Sequence, residues 1–184
     1  MKKIFILFLL LLSIVIYSQS TTKNIEYINM TSFSISKNTE SKFSNFRRDS
    51  VKTFNGLALD VNTIHGAKLF GYVAISAGLS VDWNINKTFL STPVFADLRI
   101  FSSRNIENCL FFYLQTGQNI KFTKNSDGNG TSSRLGVGYI FDSYGNTSYY
   151  CDFYKKSKQI YLRDKEEFGY YDINGYGISF GIIF

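Results

Sequence analysis

A chain of 184 residues with a single histidine, His65, and two cysteines, Cys109 and Cys151, has few places where covalent or metal chemistry could happen. Nucleophilic catalysis needs a base within hydrogen-bond reach of the nucleophile, and His65 stands in the tight stretch "IHGAK", where it reads as a polar turn residue. One His and two Cys on opposite strand faces cannot supply the usual zinc ligand set. The same opposition argues against a disulfide between Cys109 and Cys151. "SDGNG", residues 126–130, offers one carboxylate where a calcium loop uses several, and its composition is that of a hairpin connection. The glycines of "GYGISFG" lack the spacing of a nucleotide fingerprint, and no helix follows them. No cofactor or metal is expected. What remains is a set of charges, Asp60, Asp97, Arg99 and Asp152, interspersed on strand faces that are rich overall in Gly, Ala and Ser.

The elements that carry these charges are strands. From residue 52 onward apolar residues recur at period 2, with no sustained 3.6-residue pattern. "VAISAGLSVDW" is the clearest case, with Val73, Ile75, Ala77, Leu79, Val81 and Trp83 on one face and Ala74, Ser76, Gly78, Ser80 and Asp82 on the other. "LALDV", "TPVFADLRIF", "CLFFYLQTGQNIKF", "RLGVGYIFD", "SYYCDFYKK" and "GYGISFGIIF" alternate in the same way, and Pro93 falls at a strand start, where it is tolerated. "NIEYINMTSFSIS" adds a weaker eighth strand, read mainly from β-branched and aromatic content. Aromatics make up 17% of the chain and Pro occurs once, a composition that favours pleated sheet. The connections, about 37–51, 65–68, 84–91, 102–108, 123–131, 143–146 and 163–172, alternate between longer and shorter. That asymmetry is expected of a barrel whose periplasmic turns are short and outer loops long.

Residues 1–20 are read as a secretory signal peptide: Lys2 and Lys3 precede an apolar run from Ile4 to Ile16, too short to span a bilayer as a helix, with small residues at Ser18 and Ser20. Cleavage after Ser20 fits a small-x-small site better than cleavage after Ser18. Residues 21–184 then form one domain. Losing the two leader lysines lowers the formal net charge from +6 to +4, and the remaining charges are scattered. A nucleic-acid partner would need them clustered on one face.

Alternation alone does not separate a soluble barrel from a membrane barrel. The polar faces decide, because they carry Gly, Ala and Ser with a few charges and little Lys or Glu, unlike a water-washed surface. They suit the inside of a narrow eight-stranded barrel, where side chains from all strands share the lumen. Asp60, Asp97, Arg99 and Asp152 are therefore expected to form an internal, structural charge network. The apolar face is expected to meet lipid, with Trp83 and Phe122 near the outer interface and Phe141, Tyr149 and Phe184 near the inner one.

Leader, alternating segments, loop asymmetry and the ending "GISFGIIF" together resemble small bacterial outer-membrane β-barrel proteins of the OmpA/OmpX kind. The resemblance implies an all-β fold, an eight-stranded antiparallel up-and-down transmembrane barrel. It also implies an outer-membrane location, a lipid environment and a monomeric state. Tyr176, Ile178, Phe180, Ile182 and Phe184 look like the C-terminal signal read by the barrel assembly machinery. Some outer-membrane barrels are lipid-modifying enzymes or proteases, whose polar sites lie toward the outer end and usually include His, whereas His65 is expected at the periplasmic end. The expected role is structural or surface interaction without catalysis. A soluble periplasmic lipocalin-like ligand-binding barrel and an outer-membrane lipid-modifying enzyme are the alternatives. Arg47 and Arg48, in the first outer loop, are candidate contacts to lipopolysaccharide phosphates, since Arg geometry matches phosphate.

Overall fold

The computed structural model describes residues 24–45, 50–53, 56–85, 89–120, 129–144, 147–163 and 168–184. Residues 1–20, expected to be a signal peptide, lie outside them, as do Arg47, Arg48, Phe122 and most of "SDGNG". Ten strands follow one another: β1 (Ile25–Asn45), β2 (Ser50–Thr53), β3 (Leu57–Leu69), β4 (Val73–Asn84), β5 (Phe89–Ser91), β6 (Pro93–Phe101), β7 (Cys109–Asn119), β8 (Gly130–Tyr144), β9 (Thr147–Arg163) and β10 (Phe168–Ile183). β2 pairs with β1 beyond the end of β3, and β5 pairs with β4 beyond the end of β6, so each short strand continues the column of its successor. The result is eight staves, each antiparallel to its sequence neighbours, closed by β10 on β1. The second break falls at Thr92, directly before Pro93, whose missing N–H cannot donate to a ladder.

Closure joins the two segments hardest to compare by eye. Phe33 lies opposite Phe180 and Ile35 opposite Ile178, and the Phe184 N–H donates to the Asn29 carbonyl at 3.0 Å. The weakest strand of the sequence reading is in fact the longest, at 21 residues. Its mid-strand lumen positions are Ser32, Ser34, Ser36 and Asn38, all buried, so the alternation there is between large and small rather than apolar and charged.

Two expectations are corrected. His65 does not sit in a turn: it lies within β3 and faces outward, while the chain reverses at Phe70 and Gly71. Both have positive φ, 53° and 79°, the pair of left-handed residues that a tight hairpin needs, and the Tyr72 N–H closes it on the Leu69 carbonyl at 3.1 Å. The strong turn composition of "HGAK" was misleading because the outward and inward positions there still alternate. The connections read at 37–51 and 163–172 are also much shorter, since β1 runs on to Asn45 and β10 begins at Phe168. Their polar side chains suggested loop, but ladder hydrogen bonds belong to the backbone and are indifferent to a wetted side chain.

Every stave turns large apolar side chains outward. Phe33, Val61, Ile75, Leu98, Phe112, Leu135, Phe153 and Phe180, one from each, are all exposed. Trp83 lies outward near the loop end, and Phe141, Tyr149 and Phe184 lie outward near the turn end.

Candidate functional site in the barrel lumen

The inward face is stacked in layers. At the turn end Ile28, Met30, Ile140 and Ile183 pack with Phe101 and Phe111. The rings of Phe101 and Phe111 are 6.0 Å apart, and Tyr150 meets Phe111 edge-on at 5.6 Å, geometries that favour aromatic pairs. Lys68 caps this plug, its Nζ 2.7 Å from the Arg104 carbonyl and 5.4 Å from the centre of the Phe101 ring.

Large rings fit because glycine stands beside them. Tyr113 is opposite Gly136, Phe111 opposite Gly138, Tyr154 opposite Gly177 and Tyr150 opposite Gly181. A Cβ at Gly177 would fall 2.4 Å from the Tyr154 ring, and one at Gly181 2.4 Å from the Tyr150 ring. Gly177 and Gly181 of the C-terminal "GYGISFG" are thus cradles for aromatic side chains of β9.

Above the plug lie the charges. The Arg99 Nε donates to Asp97 Oδ1 at 3.0 Å, and the Gln115 amide donates to Asp97 Oδ2 at 2.9 Å. The Arg99 guanidinium also rests over the Tyr113 ring, 4.5 Å from its centre. Asp152 accepts from the Tyr113 hydroxyl and from the Ser179 hydroxyl, both at 2.9 Å. One layer higher, Arg134 grips Asp60 with two hydrogen bonds of 3.1 and 2.8 Å and lies over the Tyr154 ring at 4.8 Å. Bidentate geometry of this kind gives the strongest carboxylate pairing.

All four charges expected in the lumen, Asp60, Asp97, Arg99 and Asp152, are there and buried, but they are not one cluster. Asp97 and Arg99 pair with each other, Asp60 belongs to Arg134, and Asp152 is held by hydroxyls. The alternation of "RLGVGYIFD" puts Arg134 on the inward face, but nothing in it makes Arg134 the partner of Asp60. The expected set of lumen charges also lacks the pair of lysines on β9, Lys156 and Lys158, which approach Asp82 at 3.8 and 3.0 Å. Their signal was available, because both continue the even-numbered parity of Asp152 and Tyr154 through "KKSKQ".

Outside the lumen, His65 takes part in a chain along the β1–β3 wall: the Tyr27 hydroxyl is 2.6 Å from Nδ1 and the Thr63 hydroxyl 3.4 Å from Nε2. Cys109 is buried, Cys151 half-buried, and both are free thiols. Among the described residues no group of three His, Cys, Asp or Glu side chains is gathered to hold a metal ion. Tyr176, Ile178, Phe180, Ile182 and Phe184 form an outward stripe down β10 and the last residue, as their spacing required.

No family model and no curated protein sequence matches the chain. Solved structures do. The outer membrane protein AlkL, determined by solid-state NMR in lipid bilayers, superposes with a TM-score of 0.52 at 10% identity, over 90% of this chain and 92% of that one. Neisserial surface protein A gives 0.49 at 8% identity, over 85% and 98%. OprG of Pseudomonas aeruginosa gives 0.37 at 10% identity, over 90% and 98%. At such identities the likeness is one of fold, and that fold is the closed eight-stranded antiparallel barrel that AlkL also adopts.

Proposed function

We propose that this chain is a monomeric outer-membrane β-barrel with a structural or surface-interaction role and no catalytic activity. One contrast carries the reading: all eight staves present large apolar side chains outward, around a lumen filled with paired charges and aromatic rings. Burial of each such side chain is worth about 1.5–3 kcal/mol. A water-soluble barrel would forfeit that on every stave, whereas a bilayer recovers it. A lipocalin-like protein is built the other way, with apolar residues inward and charge outward. The aromatic plug at the turn end supports a filled lumen rather than a wide path, as eight strands give a lumen that side chains can fill.

The outward stripe from Tyr176 to Phe184 supports recognition by the barrel assembly machinery, because alternate large residues at a closing strand offer one continuous face. For a lipid-modifying enzyme the histidine is badly placed: His65 is on the outside wall near the turn end, not among the inward polar groups. At the other end β1, β9 and β10 run past the neighbouring staves, giving the surface on which an external partner would act. Fractionation with gel analysis tests the reading. The protein should enter the outer-membrane fraction and migrate faster unheated than boiled. Recovery as a soluble, heat-insensitive species would contradict it.

A further inference from the structure

The loop-side end of the lumen holds more positive charge than its partners balance. Lys156 and Lys158 are both buried, at 4% and 5% exposure, and both look to one carboxylate. Lys158 Nζ is 3.0 Å from Asp82 Oδ2 and also touches the Ser91 hydroxyl, whereas Lys156 Nζ stays 3.8 Å away, too far for a hydrogen bond. Asp60, also buried in the lumen, is occupied on both oxygens by Arg134. A buried charge without a close partner is strongly unfavourable, and Asp152, which no lysine or arginine among the described residues pairs, lies four residues down β9 in its own hydroxyl cage.

A second observation marks the same level. Asn119 is 7% exposed and inward-facing, and neither its amide oxygen nor its amide nitrogen has a hydrogen-bond partner. Register brings it there: Asn119 lies opposite Pro93, two residues along from Ser91, which in turn lies opposite Asp82. An unpaired buried amide loses its hydration without replacement, so an unpartnered Asn at the level of an under-neutralised lysine pair is a doubly unfavourable arrangement that a bound anion would relieve.

We infer that a small oxyanion of the phosphate class binds inside the loop-side mouth of the lumen, held by Lys156, Lys158 and the Asn119 amide, with Asp82 limiting its affinity. Lysine ammoniums serve phosphate as point charges, and the amide N–H adds direction. The site does not depend on where the barrel resides.

The test uses the mature chain folded in a neutral detergent free of phosphate, titrated with inorganic phosphate by calorimetry and thermal unfolding, with sodium chloride holding ionic strength constant. Wild type should bind saturably and unfold at higher temperature. Lys156→Met with Lys158→Met should weaken binding at least tenfold. Should that pair fail to fold, two single changes still decide. Asp82→Asn frees both lysines and should tighten binding severalfold, a change of sign that a purely structural carboxylate would not produce. Asn119→Ala should weaken phosphate binding severalfold without lowering the stability of the phosphate-free protein. A parallel series in phosphatidylcholine vesicles, with and without phosphatidic acid and without free phosphate, separates the sources. Stabilisation by the lipid phosphate alone would place the contact on the outer rim and overturn the lumen site. So would equal stabilisation by chloride and phosphate, or an Asp82→Asn variant with unchanged affinity.

Discussion

Arg134 shows how much a single residue can hold in this barrel. Its guanidinium joins β8 to Asp60 of β3 across the lumen, with Tyr154 of β9 beneath it. Removing one partner strands the other charge, so Arg134→Met should destabilise the folded barrel by about 3–5 kcal/mol, read from denaturant unfolding in detergent. The double change with Asp60→Leu should recover much of that loss, because no charge is then left alone. A different residue-scale effect belongs to the cradles. Gly177→Ala should cost about 1–3 kcal/mol by overpacking against Tyr154, and Tyr154→Leu in the same chain should relieve part of it, giving a non-additive pair. The inward parity of Asp60, Asp97, Arg99 and Asp152 was readable from period 2, since the pleat fixes which face each occupies. Their partners were not, because pairing across a lumen depends on the stagger between staves, which no single strand carries.

At the scale of the element, the strands were legible and their ends were not. β4, β6 and β7 announce themselves because apolar residues alternate with small or charged ones. β1 hides, since Ser32, Ser34 and Ser36 replace the charged residues that would have marked its inward face. The extension of β1 to Asn45 and the start of β10 at Phe168 were equally hidden, being written in backbone pairing with a partner strand. The pairing of first and last strand, which a closed up-and-down barrel requires, has a direct check. Ile35 and Ile178 are opposite one another, within the separation a disulfide can bridge. Ile35→Cys with Ile178→Cys, in a background lacking Cys109 and Cys151, should cross-link within one folded chain and keep it closed on a gel after boiling without reductant. Cross-links forming only between chains would show that the barrel closes some other way.

For the whole molecule, the division of labour is between an apolar exterior and a packed interior, and each has its own measurement. The aromatic plug and the layered ion pairs should leave purified protein without defined single-channel conductance in a planar bilayer. The exterior is the central claim, and the chain carries its own probe, because Trp83 is its one tryptophan and points outward near the loop end. Folded into vesicles and excited selectively, Trp83 should be quenched strongly by lipids brominated on the shallow part of their acyl chains and weakly by an aqueous quencher. Emission untouched by brominated lipid and freely quenched from water would mean that the apolar face does not lie in a membrane.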